Sequence, residues 1–207
     1  MTVRRMKLDN LDDHHLPAAP LPLFDRWYAA ARENPGHDPS AMTLSTVGAD
    51  GRPAGRIVLL KQHGADGFVF YTNFASRKGR ELSANPLAAL TFWWPWLGRQ
   101  VRIEGSVVKV EDTEADAYFA SRPRASQIGA WASRQSEPLQ SREELERAVH
   151  EYTEKFAGRD VPRPPHWSGF CLAPGRVEFW HDRQGRLHDR IIYTLHNGHW
   201  SIQRLNP

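Results

Sequence analysis

One cysteine, Cys171, in 207 residues excludes an intrachain disulfide and any multi-cysteine zinc or iron–sulfur site. No apolar run approaches the roughly 18 residues that a membrane helix needs, so no membrane association is expected. Met1 to His15 carries both charge signs and no apolar stretch, unlike a secretory signal, and a cytoplasmic location is the expectation. The chain also lacks a strong charge bias. With 27 basic and 24 acidic residues it carries a net charge of only +3, without the basic excess of a general nucleic-acid binder. Sequence motifs are missing too: there is no G-x-G-x-x-G, no G-x-x-x-x-G-K-[ST], no H-E-x-x-H and no G-x-S-x-G. The ten histidines, His14 and His15 among them, match no metal-ligand spacing, and no metal is expected. Acids are locally absent between Asp116 and Glu137, where Arg122, Arg124 and Arg134 fall. A solvated face explains that gap, and so would the wall of an anion pocket; charge alone leaves the solvated face ahead.

What is present reads as ordinary globular chain, 40% hydrophobic and 25% charged. Residues 1–19 form a loose, flexible arm in this reading, and 20–207 a single domain. After Pro20 and Pro22, the residues Phe24, Trp27, Tyr28 and Ala31 recur at helical spacing until Asn34-Pro35-Gly36. Strands are expected over Ala41–Val47, Arg56–Gln62, Gly67–Asn73, Leu87–Trp94 and Gln100–Val110, with a hairpin dipeptide at Asp50-Gly51. A short helix fits Ser76–Ala84. Helices then follow over Thr113–Ser121, opened by Thr-x-x-Asp, over Ser126–Trp131, and from the capping box at Ser141 to about Phe156. Val161–Pro165 connects to strands over Trp167–Leu172, Arg176–His181, Asp189–Leu195 and Trp200–Leu205, the last two joined at Asn197-Gly198. Short strands with hairpin turns and interrupting helices predict a mainly β fold, an antiparallel barrel-like sheet with peripheral helices. Cys171 reads as a buried strand thiol, and Trp93, Trp94 and Trp96 as core or interface.

Without a glycine-rich phosphate loop, any bound phosphate must be held mainly by side chains, for which the planar fork of arginine is suited. Arg56 and Lys61 stand five positions apart on one expected strand and face opposite sides unless the chain bends between them. Arg77 and Lys78 follow Ser76 at a helix start, where free amides and the dipole favour an anion; a solvated pair is about as good a reading. Tyr118, Arg122 and Ser126 are spaced by four and four, interrupted by Pro123; they converge across the turn or merely cap it. Arg186, His188 and Arg190 share one face if extended, with Asp189 opposite, and such a cluster calls for an anion or carboxylate nearby.

Taken in order, Arg56-Ile-Val-Leu-Leu-Lys61, Phe70-Tyr-Thr-Asn73, Ser76-Arg-Lys78, Arg99-Gln-Val101, Ser121-Arg-Pro-Arg124, Ser126-Gln-Ile-Gly-Ala-Trp131, Gln135-Ser136, Glu178-Phe-Trp180 and Arg186-Leu-His-Asp-Arg190 resemble the signatures of the pyridoxine/pyridoxamine 5′-phosphate oxidase family from about Leu16 onward. The resemblance implies an antiparallel split β-barrel that dimerises, with FMN at the subunit interface. It implies FMN contacts from Arg56, Ile57, Val58, Leu59, Leu60 and Lys61, from Tyr71 and Thr72, and from Arg77, Lys78 and Gln100. Gln135, Ser136, Trp180 and Arg190 of the other subunit would complete that site. Lys61, Tyr118, Arg122 and Ser126 would hold a substrate phosphate, and Arg186 and His188 would flank its pyridine ring as the catalytic pair. The implied reaction converts pyridoxamine or pyridoxine 5′-phosphate to pyridoxal 5′-phosphate, with O2 reduced to hydrogen peroxide. The nearest alternatives are a related FMN oxidase on another ring, of phenazine type, and a non-catalytic FMN-binding module. One departure is in the arm, where the family's Arg-x-x-Tyr element is replaced by Val3-Arg4-Arg5-Met6.

Overall fold

The computed structural model describes Leu11 and residues 15–207. Nine strands join in one antiparallel sheet in the order β2-β1-β5-β6-β7-β4-β3, with β8 beside β7 and β9 beside β8. The strands are β1 Ala41–Val47, β2 Pro53–Leu59, β3 Gln62–Gly64, β4 Gly67–Asn73, β5 Leu87–Trp94, β6 Arg99–Lys109, β7 Trp167–His181, β8 Asp189–His196 and β9 His199–Arg204. β7 is the branch point. One edge pairs with β6; the other pairs with β4 over Trp167–Leu172 and with β8 over Arg176–His181. Two strands diverging from one edge curl the sheet into a half-open barrel, the mainly β fold with peripheral helices that the sequence predicts.

Where two strands were expected, β7 is one strand of 15 residues. Ala173-Pro174-Gly175 reads as a break, but it forms a bulge, with the register shifting between Glu104 and Gly105 on β6. Gly105 is needed there, because a Cβ would lie 2.0 Å from the Ala173 carbonyl oxygen.

The inner face is apolar by alternation. Met42 and Leu44 on β1, Leu90, Phe92 and Trp94 on β5, and Val101 and Ile103 on β6 are all buried. The helix α1, Leu21–Arg32, presents Leu23, Phe24, Trp27 and Ala31 to that face, as its spacing predicts. Phe24 meets Phe68 and Phe92 edge-on at 4.9 and 5.3 Å. Each such ring contributes roughly 1.5–3 kcal/mol by leaving water. Residues 15–19 and Leu11 are less loose than the sequence suggests. Leu11 is buried, its carbonyl accepts from Arg204 at 2.5 Å, and the Pro17 carbonyl accepts from the Tyr193 hydroxyl at 3.0 Å. His14 and the Val3–Met6 element lie outside the described residues.

Four more helices are α2 Arg77–Ala84, α3 Asp112–Ser121, α4 Arg124–Ala132 and α5 Arg142–Lys155. Under α3–α5 a second, smaller core gathers Phe119, Ile128, Phe156, Val161 and Trp167. Ser141 caps α5 by accepting from the Glu144 amide at 3.3 Å. Glu144 in turn accepts from the Gln140 amide at 3.2 Å, one residue before the position a regular capping box uses. α3 starts at Asp112 after an uncapped Glu111, so Thr113 is inside the helix and not its cap. β2 begins at Pro53, earlier than the sequence suggests; proline is tolerated at the first position of this edge strand. It ends at Leu59, after which the Leu60 amide bonds to Ser40 and the Lys61 amide to Val69, carrying the chain from β1 toward β4. Cys171 is half-buried, its thiol against the Asp66 carbonyl at 3.4 Å, so it is not the buried thiol expected. Of the three tryptophans, Trp94 is core and Trp93 is 49% exposed. Trp96 stacks on His37 at 4.4 Å.

Candidate active site

A cleft of about 620 Å³ opens between β2–β4 and the turn from α3 to α4. Ile57, Val58, Leu59 and Lys61 form one wall; Tyr71, Thr72 and Asn73 on β4 form the floor. Tyr118, Arg122, Pro123, Ser126 and Ala130 close it from the helical side. The bend at Leu60–Lys61 is what brings the Lys61 side chain to the cleft. Leu60 itself is buried in the main core, its backbone rather than its side chain facing this region.

Pro123 sets the geometry of the helical wall. It holds Arg122 extended at ψ 149°, ending α3 and starting α4 one residue later. The buried Gln127 amide donates to the Phe119 and Ala120 carbonyls at 2.9 and 3.1 Å, satisfying the exposed end of α3. Tyr118, Arg122 and Ser126 therefore line one cleft across the turn. Arg124, from the same acid-poor stretch, does not; it donates to the Phe156 and Arg159 carbonyls and holds the end of α5. Arg134 lies outside the cleft as well, 4.0 Å from Glu137.

The aromatic floor is a stack. Tyr71 and Tyr118 lie 4.0 Å apart and 18° from parallel, and Tyr71 and Trp167 5.3 Å apart at 7°. Arg122 caps it, its guanidinium carbon 4.7 Å from the Trp167 ring centroid. Its Nη1 is buried without a hydrogen-bond acceptor among the described residues, and burial pulls its pKa below the usual arginine range. Such a donor is costly unless a ligand accepts from it. The Tyr71 hydroxyl donates to Glu114 at 3.1 Å; burial and that bond push its pKa up, so it stays a phenol. No carboxylate lines the cleft, whereas Lys61, Lys78 and Arg122 do. The arrangement is built for an anion with a planar ring beside it.

At one end of the cleft the first turn of α2 gathers further cations. Ser76 caps the helix, accepting from the Gly79 amide and from Lys78 Nζ, both at 3.3 Å. Lys78 also donates to Gln135 Oε1 at 2.9 Å. Burial and then the charge of Arg56 lower its pKa. Arg56 and Arg77 do not line the cleft directly. Both bind Glu81, at 3.1 and 2.7 Å, behind the same turn. Glu81 is a residue the sequence reading missed, although its place four after Arg77 is an ion-pair spacing. Trp167 was missed too, with no local signal to reveal it.

The remaining expected residues fall elsewhere on the chain. Ser136, at φ +74°, lies in a separate, smaller pocket of about 230 Å³ beside the loop before α5. Gln100 pairs with Trp180 across β6 and β7, and Trp180 meets His188 at 4.5 Å. Arg190 donates to buried Glu178 at 2.8 Å, and Arg102 donates to the same carboxylate at 2.6 Å. The extended alternation expected of Arg186, His188 and Arg190 is broken. Gln184–Arg186 forms a turn with Arg186 at φ +61°, and β8 starts only at Asp189. The carboxylates that this cluster calls for are Asp182, 3.1 Å from His188 Nδ1, and Glu178. Asp189 binds Arg183 and Arg204 instead. His188 Nε2 has no hydrogen-bond partner among the described residues. No group of three or more possible metal ligands occurs among the described residues.

Comparison with known proteins fits this geometry. Residues 31–156 match the family model described as pyridoxamine 5′-phosphate oxidase, and residues 167–207 that of the pyridoxine 5′-phosphate oxidase C-terminal dimerisation region. The chain is 56% identical over 192 residues to a pyridoxine/pyridoxamine 5′-phosphate oxidase of Myxococcus xanthus, covering 93% of each chain. It is 54% identical over 198 residues to one from Brucella canis, covering 95% of this chain and 98% of the relative. Among solved structures, PhzG from Burkholderia lata, in complex with tetrahydrophenazine-1-carboxylic acid, superposes with TM-score 0.91 at 32% identity, covering 97% of this chain and 98% of its own. A pyridoxamine 5′-phosphate oxidase-related, FMN binding protein from Nostoc punctiforme shares the fold at TM-score 0.72 and 19% identity, covering 92% of this chain and 98% of its own.

Proposed function

The chain belongs to the pyridoxamine 5′-phosphate oxidase family, and from that premise we propose that its cleft oxidises pyridoxamine and pyridoxine 5′-phosphates to pyridoxal 5′-phosphate. FMN is the cofactor. When bound, it supplies the two-electron acceptor for oxidation at the 4′ carbon, and dioxygen finally carries the electrons away as hydrogen peroxide. The alcohol gives the aldehyde directly; the amine gives an imine that takes up water and releases ammonia.

The protein's own part is binding, orientation and charge. Lys61, Tyr118, Arg122 and Ser126, gathered on one cleft without a carboxylate among them, hold the substrate phosphate. Arg56, Arg77 and Lys78, with the capped start of α2, take the cofactor phosphate. Tyr71, Thr72 and the backbone of Ile57–Leu60 flank the rest of the flavin. A second copy of the chain brings Trp180 and Arg190, which the barrel holds away from this chain's cleft, and places FMN at the interface. Arg186 and His188 then flank the pyridine ring; His188 accepts at Nδ1 from the Arg183 amide at 3.2 Å, so Nε2 is the ring nitrogen left to donate to the substrate. Gln135 already reaches Lys78 within one chain, so its contribution does not require the partner.

The observation that carries this reading is the buried, unsatisfied Nη1 of Arg122 beside Lys61, Tyr118 and Ser126. The test compares turnover of pyridoxine 5′-phosphate with that of unphosphorylated pyridoxine by the FMN-loaded protein. A preference of at least about 100-fold in kcat/KM is expected, from two or more charged hydrogen bonds to the phosphate. Equal turnover, or turnover of a tetrahydrophenazine carboxylate alone, would refute it.

A further inference from the structure

Glu81 and Glu178 are the only buried acids among the described residues. Glu81 stands one turn into α2, behind the proposed cofactor phosphate site, and its two oxygens are fully committed. Oε1 accepts from Arg77 Nε at 2.7 Å. Oε2 accepts from Arg56 Nη2 at 3.1 Å and from the Thr46 hydroxyl at 2.5 Å. Thr46 Oγ1 in turn accepts from Arg56 Nη1, which also donates to the Leu44 carbonyl at 3.3 Å. Arg56 is thus fixed by three acceptors on two elements, β1 and α2.

The pattern of free donors points away from simple charge pairing. Arg77 engages Glu81 through Nε, leaving both of its terminal nitrogens without a partner among the described residues. Those two nitrogens can grip two phosphate oxygens at once. Arg56 keeps Nε and one Nη2 hydrogen unspent. Three cations, Arg56, Arg77 and Lys78, share one carboxylate, so two positive charges remain unbalanced at a helix start whose amides also favour an anion. A dianion balances them.

We infer that Glu81, supported by Thr46, is a positioning residue for phosphate recognition: it aims the Arg56 and Arg77 guanidiniums at the phosphate of the flavin, without touching the flavin. This rests on the proposed function, in which FMN occupies this end of the cleft. Glu81 acts by holding direction and not by adding attraction, since its own charge opposes an anion. The inference therefore gives a sign that electrostatics alone would reverse. Removing the carboxylate weakens phosphate binding although it makes the site more positive.

The experiment titrates the full chain, freed of flavin, with FMN and separately with riboflavin, which lacks the phosphate, by quenching of flavin fluorescence. The wild-type protein binds FMN more tightly than riboflavin. Glu81→Gln lowers FMN affinity about 10–100-fold and leaves riboflavin affinity within about 2-fold, as loss of one or two charge-assisted contacts requires. Thr46→Val keeps every charge and loses FMN selectively by a smaller factor, about 3–10-fold; it carries the test if Glu81→Gln does not fold. FMN affinity that is unchanged or higher, or equal losses for both flavins, overturns the inference while leaving the cofactor assignment intact. A wild-type chain that binds neither flavin removes the functional reading and this inference with it.

Discussion

The guanidinium of Arg122 lies over the Trp167 ring, its carbon 4.7 Å from the ring centroid, with one terminal nitrogen buried and lacking an acceptor among the described residues. Arginine there does two things that lysine cannot: it stacks, and it offers a planar fork to an oxyanion. Arg122→Lys keeps the charge and loses both. We expect KM for pyridoxine 5′-phosphate to rise about 10–100-fold with FMN affinity within error of wild type. Steady-state kinetics beside a flavin titration separates the two, and a parallel loss of FMN would place Arg122 at the cofactor instead.

Gly169 lies beneath Tyr71, and an added Cβ there would sit 2.9 Å from two carbons of the tyrosine ring. The ring cannot easily move, being stacked on Tyr118 and Trp167. Gly169→Ala should cost roughly 1–3 kcal/mol of stability, as overpacking of a fixed ring does, and should lower activity further than Tm alone explains. An alanine variant that melts and turns over like wild type would show that the stack yields freely.

Much of the fold was legible because local patterns carried it. The bounds expected for β1, β4 and β5 and the stripe on α1 match the observed elements closely. β7 was not, because Pro174 and Gly175 signal a break locally and only the pairing with β6 makes them a bulge. Lys61, Tyr118, Arg122 and Ser126 were named from the order of short motifs; spacing alone left them as a possible cap. Trp167 and Glu81 reach the site through contacts 49 and 25 residues away in sequence, with Tyr118 and Arg56. Such partners become visible only when the chain is folded. The turn at Arg186 was hidden for a different reason: a positive φ at arginine has no sequence signature.

His181 is 7% exposed, packed edge-on near Trp27 and facing Arg99 across β6 and β7. Burial, then Arg183 and Arg99, push its pKa down to about 4, against the milder pull of Asp189 and Asp182. The unfolded chain takes up this proton near pH 6.5, whereas the folded chain does so only near pH 4. The native state binds fewer protons in that window, so stability falls as pH drops from about 6.5 to 4, by roughly 3 kcal/mol from this group. Urea midpoints measured across that range should show the slope, and His181→Gln should flatten it. An unaltered slope in the variant would assign the effect to other groups.

Arg186 is exposed at a left-handed turn and has no hydrogen-bond or ion-pair partner among the described residues. If it orients the substrate ring, Arg186→Ala should reduce kcat/KM about 10–100-fold and leave the thermal midpoint and FMN retention nearly unchanged. Rapid loss of yellow colour on gel filtration, with near-normal turnover at saturating FMN, would transfer Arg186 to the cofactor.

The most direct measurement is the stoichiometry of products from the purified, FMN-loaded protein in air. With pyridoxine 5′-phosphate, one hydrogen peroxide should appear for each pyridoxal 5′-phosphate formed, and with pyridoxamine 5′-phosphate one ammonia besides. A protein that holds FMN yet forms no aldehyde from either phosphorylated substrate would contradict the assignment of the cleft.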